Sequence, residues 1–362
     1  MTYLDYQATT PLAPEALAAM LPWLESQHAN PHSPHREGRV AKAAVEVARK
    51  QIGGLLPAGG QFAFTSGATE ALNWAIKGTS GGIVTLATEH AAVLDTVAAE
   101  QARGRAVTVL PVGADGLVDL DIARAAIRPG TGLVAAMLVN NEIGVIQPIA
   151  ALADLAHEAG ALMLCDAVQG YGRVAIPDTC DLVAVSAHKI YGPKGVGGLW
   201  IRDGVVLAPL LHGGGQEGPG RSGTLSPALC AGFGAAAALI AGRAEDAAHV
   251  ERLWTIATDR LGPGWTINGA TSPRYHGNLN VRRAGLDVAR LISDLRDIAF
   301  SAGSACASGS GRASHVLRAI GLTKAQARSS IRLGFGRYTT EEDLTAAIDR
   351  IVTAAEAQGR VA

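Results

Sequence analysis

The chain has 362 residues, 48% hydrophobic and 17% charged, with a formal net charge of −1. That length exceeds what one hydrophobic core usually serves, so two domains are expected, and the composition excludes a disordered chain. The charge balance gives no basis for binding nucleic acid or an anionic membrane, and no apolar run is long enough to span a bilayer.

Met1-Thr2-Tyr3-Leu4-Asp5 lacks the basic start and apolar segment of a signal peptide. The first recognisable pattern is Phe64-Thr65-Ser66-Gly67-Ala68-Thr69-Glu70, which runs from a short apolar stretch into a helical pattern over 71–77. Gly67 lets backbone N–H groups approach an anion at the helix N-terminus. Taken alone, the segment fits an ordinary helix cap better than a phosphate cradle.

Short apolar runs at 81–88, 106–112, 133–139, 161–165, 182–185 and 198–201 read as buried strands. Amphipathic segments separate several of them, such as 149–159, where Leu152 and Leu155 share a face with Ala156 and Ala159. Such alternation predicts an α/β fold with a mostly parallel sheet and ligands at the carboxyl ends of its strands. The last third reads as a smaller α+β domain, with a polar helix at 244–261, strands at 265–268 and 279–281, and a final helix at 340–357.

Asp166 follows the run at 161–165 and Gln169 lies just beyond; Ser186, His188 and Lys189 follow the run at 182–185. An acid at one strand end and an amine at another suit a pyridine cofactor. The carboxylate keeps the ring nitrogen protonated, and the lysine forms a Schiff base. Each residue alone is more commonly a turn or surface residue; only the pairing points to chemistry.

The four cysteines, Cys165, Cys180, Cys230 and Cys306, stand far apart, with no metal-ligand spacing and no disulfide framework expected. A cytoplasmic protein without a metal site is therefore expected. Cys306 lies in the segment 301–314, where twelve of fourteen residues are Gly, Ser or Ala. So little apolar surface predicts a mobile loop with an exposed, reactive thiol. The other three cysteines sit in apolar or helical contexts and read as buried packing residues.

These motifs, in this order, resemble the cysteine desulfurases, class V aminotransferase-like enzymes of pyridoxal-phosphate (PLP) fold type I. The resemblance runs over nearly the whole chain, from Tyr3-Leu4-Asp5-Tyr6-Gln7-Ala8-Thr9-Thr10-Pro11 and Asn30-Pro31-His32-Ser33 to Thr88-Glu89-His90 and Asn140-Asn141-Glu142-Ile143-Gly144. It continues through Asp166-Ala167-Val168-Gln169, Ser186-Ala187-His188-Lys189, His212-Gly213-Gly214-Gly215-Gln216-Glu217 and Arg221-Ser222-Gly223-Thr224 to Gly303-Ser304-Ala305-Cys306 and Ser330-Ile331-Arg332.

The resemblance implies a seven-stranded-type sheet in a large domain at 14–249, and a small domain of 1–13 with 250–362 that carries the cysteine loop. It implies that Lys189 binds PLP and moves the substrate's α-proton. Asp166 pairs with the ring nitrogen, Gln169 bonds the ring's phenolate oxygen, and His90 stacks on the ring. Ala68, Thr69, Ser186 and His188 hold the phosphate, joined by Thr224 from the partner of a homodimer. Asn141 and Arg332 hold the carboxylate of L-cysteine, and Cys306 takes its sulfur as a persulfide. The sulfur then passes to a protein acceptor for iron–sulfur cluster assembly or another pathway.

Three departures stand out. Ala313 replaces a proline common before the helix that follows the loop, and Gly218-Pro219-Gly220 replaces a segment that usually carries arginine. The chain also stops soon after its last helix, which bears on which partner it docks. The alternatives within this chemistry are a class V aminotransferase, which needs no thiol at 306, and a selenocysteine lyase, whose cysteine loop is generally shorter.

Overall fold

The computed structural model describes residues 1–240, 244–303 and 314–359. Its centre is a seven-stranded sheet in the spatial order Gly60–Thr65, Gly197–Arg202, Leu182–Ser186, Leu162–Asp166, Thr131–Met137, Gly82–Leu86, Val107–Leu110. Only Gly197–Arg202 runs against the others. The central strands are buried on both faces, so they read as unbroken apolar runs. All six expected strands are present within a residue or two of the sequence reading, and the α/β class holds. Gly60–Thr65, read only as a short apolar stretch, proves to be the seventh strand and lies at the edge.

Two apolar layers sandwich this sheet. Helices Pro14–Glu25 and Arg36–Gly53 pack on Pro227–Ile240 over one face, where Ile52, Phe64, Tyr171 and Phe233 are fully buried. Helices Ala68–Gly78 and Ala91–Ala102 cover the other, around Leu72, Trp74, Val93 and Leu133.

A second, antiparallel sheet has the order Thr266–Ile267, Asn278–Arg282, Ser330–Gly334, Ser301–Ala302. Its core joins Leu253, Leu279, Ile331 and Leu344 to Leu4 from the N-terminus, and Thr2–Tyr3 pairs with Ile298–Ala299. The expected loop over 301–314 therefore begins later. Ser301 and Ala302 are ladder-paired to Arg332 and Ile331, because strand Ser330–Gly334 offers them an edge. Residues 304–313, including Cys306 and Ala313, lie outside the described residues. Among those described, no single helix is long and apolar enough to cross a membrane.

One close approach fixes the sheet's functional edge. At Gly197 a Cβ would stand 2.6 Å from the Val185 carbonyl and 2.9 Å from Gly67 Cα, both main chain. Only a glycine lets the Ser66–Gly67 turn rest on the sheet. Gly197→Ala should lower stability by about 1–3 kcal/mol in denaturant unfolding, since neither backbone can yield cheaply.

Candidate active site

Because six strands run the same way, their carboxyl ends open on one side. A cavity of about 560 Å³ lies there, lined by Lys189, Asp166, Gln169, His90, Asn141 and Arg332, and by Ala68, Thr69, Ser186 and His188. Ten residues nominated from sequence are thus brought together from six separate segments. Thr224 is exposed and does not line the cavity, and Cys306 lies outside the described residues.

Asp166 is the last residue of its strand, buried, and its Oδ1 accepts from Val168 N–H at 3.0 Å. Burial raises its pKa, against the pull of that N–H, His90 and Lys189. Lys189 sits in the tight turn Ala187–Lys189 directly after its strand. Its Nζ donates to the carbonyls of Gln7 and Ala8 at 2.5 and 2.8 Å. Gln169 Nε2 donates to the same Gln7 carbonyl at 2.9 Å.

His90 caps helix Ala91–Ala102, its Nδ1 accepting from Ala92 N–H at 3.0 Å. Burial lowers its pKa against the pull of Asp166, with Lys189 and His315 adding to the effect, and an accepting Nδ1 leaves Nε2 to carry the proton of the neutral ring. His188 is pushed down to about 4, by burial first and then by Lys189 and Lys194. Beneath the site Glu89 is fully buried, and burial, with Asp166 nearby, holds its carboxyl well above the usual range.

At the far end of the cavity, helix Ala68–Gly78 presents its N-terminus. Gly67 has no side chain to cap it, so first-turn N–H groups face the cavity edge. Glu70 takes Ser66 N–H at 2.8 Å and pairs with Arg221 at 2.8 Å, which fixes the turn. Arg332 is buried; it donates to the Asn141 carbonyl at 3.0 Å and to Asp5 at 2.8 Å, and its Nε is without a partner.

The donor set fits PLP. A half-buried amine for the aldehyde, a buried carboxylate for the ring nitrogen and an uncapped eleven-residue helix for the phosphate line one cavity.

Several site residues were given no role from sequence. Gln7, Ala8 and Thr9 line the cavity, as does Lys194. Arg173 donates to the Lys189 carbonyl and reaches Gln169 Oε1 at 3.4 Å, while lying over the Tyr275 ring. Contacts so distant in sequence leave no local pattern. The Tyr3–Pro11 motif was the one available signal.

The aminotransferase class-V family model matches residues 2–346. A cysteine desulfurase IscS from Rickettsia bellii is 42% identical, covering 96% of this chain and 90% of its own. An X-ray structure of a NifS-like protein from Rickettsia africae superposes with a TM-score of 0.90, at 29% identity, over 98% of this chain and 99% of that one. A structure of SspA in complex with cysteine gives 0.85 at 34% identity, over 94% and 100%.

The depressed His188 pKa predicts a pH dependence. Folded His188 takes its proton only near pH 4, whereas an unfolded histidine does so near about 6.5. Its contribution to stability is therefore complete above that value and is lost as pH falls towards 4. Between pH 7 and pH 5, denaturant unfolding should show a larger loss for wild type than for His188→Gln.

Proposed function

We infer that this chain, which belongs to the class-V aminotransferase family, takes sulfur from L-cysteine as a PLP-dependent cysteine desulfurase. The observation that carries the reading is the convergence of Lys189, Asp166, His90 and Arg332 on one cavity, in a chain 42% identical to a cysteine desulfurase over nearly its full length.

Bound in the cavity, PLP supplies an electron sink for charge that develops on the substrate's α-carbon. Lys189 would hold it covalently, Asp166 would pair with its ring nitrogen, and Gln169 would bond its hydroxyl oxygen. His90 would stack on the ring. Ala68, Thr69, Ser186 and neutral His188 would hold the phosphate, with Thr224 contributed by the partner of a homodimer. The exposed position of Thr224, away from its own chain's cavity, supports that assignment.

Arg332 and Asn141 would hold the substrate carboxylate, the guanidinium fork matching it in two places. Lys189 Nζ then stands ready to take the α-proton. The Cys306 thiolate bonds to the substrate sulfur, the carbon–sulfur bond breaks, a proton replaces sulfur on the β-carbon, and the α-carbon regains the proton that Lys189 took. Alanine leaves, and Cys306 keeps the persulfide. Its transfer to a protein acceptor in the cytoplasm, for iron–sulfur cluster assembly or another route, belongs to the same proposal. So does the division into a large domain at 14–249 and a small domain of 1–13 with 250–362.

Cys306→Ser should still show a cysteine-induced change in cofactor absorbance while releasing almost no sulfide. Sulfide release near the wild-type rate would remove Cys306 from the reaction, and a keto acid product in place of alanine would mark an aminotransferase. Lys189→Ala should no longer hold PLP through a borohydride-reducible bond. Arg332→Lys should raise the KM for cysteine about tenfold with PLP retained, because a point charge replaces the fork.

A further inference from the structure

Glu142 has no role in the reaction described above, yet it is buried, and its Oε2 accepts from the hydroxyl of Ser314. Its main-chain carbonyl accepts from Asn280 Nδ2 at 3.0 Å, and the same amide group donates to the Gly303 carbonyl at 3.3 Å. Gly303 and Ser314 are the described residues on either side of the segment that contains Cys306.

The neighbouring contacts lead back to the site. Asn141, adjacent in the chain, takes Arg332 Nη1 on its carbonyl. His315, adjacent to Ser314, contacts the Glu89 carbonyl at 2.8 Å through Nε2, one residue before His90. The same Ser314 hydroxyl caps the helix that follows, accepting from Leu317 N–H at 3.0 Å. Val316, Leu317 and Ile320 lie against Ile143 and Val145 in an apolar cluster that does not include the carboxylate.

We propose that Glu142 is a positioning residue: its carboxylate ties Ser314, at the far end of the Cys306 segment, to the loop that binds the substrate carboxylate, while Asn280 links the Gly303 end to the same loop through main-chain carbonyls. The proposal rests on the cysteine desulfurase reading. A buried hydroxyl-to-carboxylate hydrogen bond is short and strong, and so is suited to fixing an anchor. A displacement of about 1 Å at a reacting thiol is enough to slow a reaction by about a hundredfold. Substrate binding by Arg332 does not require the tether, so turnover and affinity should separate.

The test uses the PLP-loaded enzyme with Glu142→Ala, Glu142→Gln, Ser314→Ala and the Glu142→Ala/Ser314→Ala double variant. Glu142→Ala should lower kcat for alanine formation about tenfold or more, with the KM for cysteine within about twofold. Glu142→Gln, whose amide oxygen still accepts from Ser314, should recover most of that loss. The double variant should lose less than the product of the two single losses, because both changes remove the Glu142–Ser314 bond, although Ser314→Ala also removes the cap on Leu317 N–H. A kcat unchanged in Glu142→Ala, a loss seen only in KM, or multiplicative losses in the double variant would each overturn the proposal.

A second readout needs no turnover. The rate at which iodoacetamide alkylates Cys306, followed by peptide mass spectrometry, should rise several-fold in Glu142→Ala but not in Glu142→Gln. The buried Cys165, Cys180 and Cys230 serve as internal controls. An unchanged alkylation rate overturns the positioning role even if wild-type enzyme makes no alanine, an outcome that would sink the desulfurase reading separately.

Discussion

The Lys189 amine sits in a partly buried site where it donates hydrogen bonds to the main-chain carbonyls of Gln7 and Ala8, and the N-terminal segment is arranged around that need. Withdrawing a lysine from water without such partners would drive it to lose its proton. The acceptors come from the first ten residues, far away in sequence, so the N-terminal segment must be pinned across the cavity. Asp5 is held by Arg332, Gln7 Nε2 by the Gly277 carbonyl, and Thr10 by the His188 carbonyl and Tyr191 N–H. Tyr191 accepts a left-handed backbone, φ 68°, to make the last of these bonds. For a bulky residue that conformation costs about 1–2 kcal/mol. Packing of its ring against Tyr6, Tyr338 and Arg337 offsets that strain.

The same burial sets the protonation states. Asp166, Glu89, His90 and His188 each shift towards the neutral form, with desolvation the largest cause in every case. Lys189 and Lys194 push His188 further down, while His90 and Lys189 restrain the rise of Asp166. A site built this way is poised for a ligand that brings its own charges. A ring cation would reverse the shift of Asp166, and a phosphate would meet uncapped helix N–H groups beside a neutral imidazole.

The sheet and the residues at its strand ends were legible because both leave local marks. Buried parallel strands are unbroken apolar runs, and polar groups directly after them must lie at the carboxyl edge. Asp166 and Lys189 could be found that way, whereas His90 came from the family resemblance alone. Gln7, Arg173 and Glu142 could not be found that way, since Gly277, Lys189 and Ser314, which hold them, lie 270, 16 and 172 residues away in the chain. The strand Ser301–Ala302 was hidden for a different reason. Gly, Ser and Ala carry no hydrophobic period, so only the pairing edge of the buried strand Ser330–Gly334 reveals that the backbone continues as a ladder there. Residues 304–313, where the sequence placed the reactive thiol, lie outside the described residues, and the case for Cys306 rests on composition and on family resemblance.

Arg332 links these points. It lies within strand Ser330–Gly334 of the small sheet, yet its guanidinium enters the cavity of the large one. It is almost wholly buried, paired with a single carboxylate and left with an unpartnered Nε. A buried charge with an unmet donor is a standing cost of about 1–3 kcal/mol. A carboxylate ligand would satisfy the open donor and add a second negative partner, so that cost would be recovered on binding one. Asp5 and Asn141, which hold the guanidinium meanwhile, belong to the N-terminal segment and to the loop containing Glu142. The group that would read the substrate's carboxylate is therefore wired to the Lys189 clamp on one side and to the anchors of the Cys306 segment on the other.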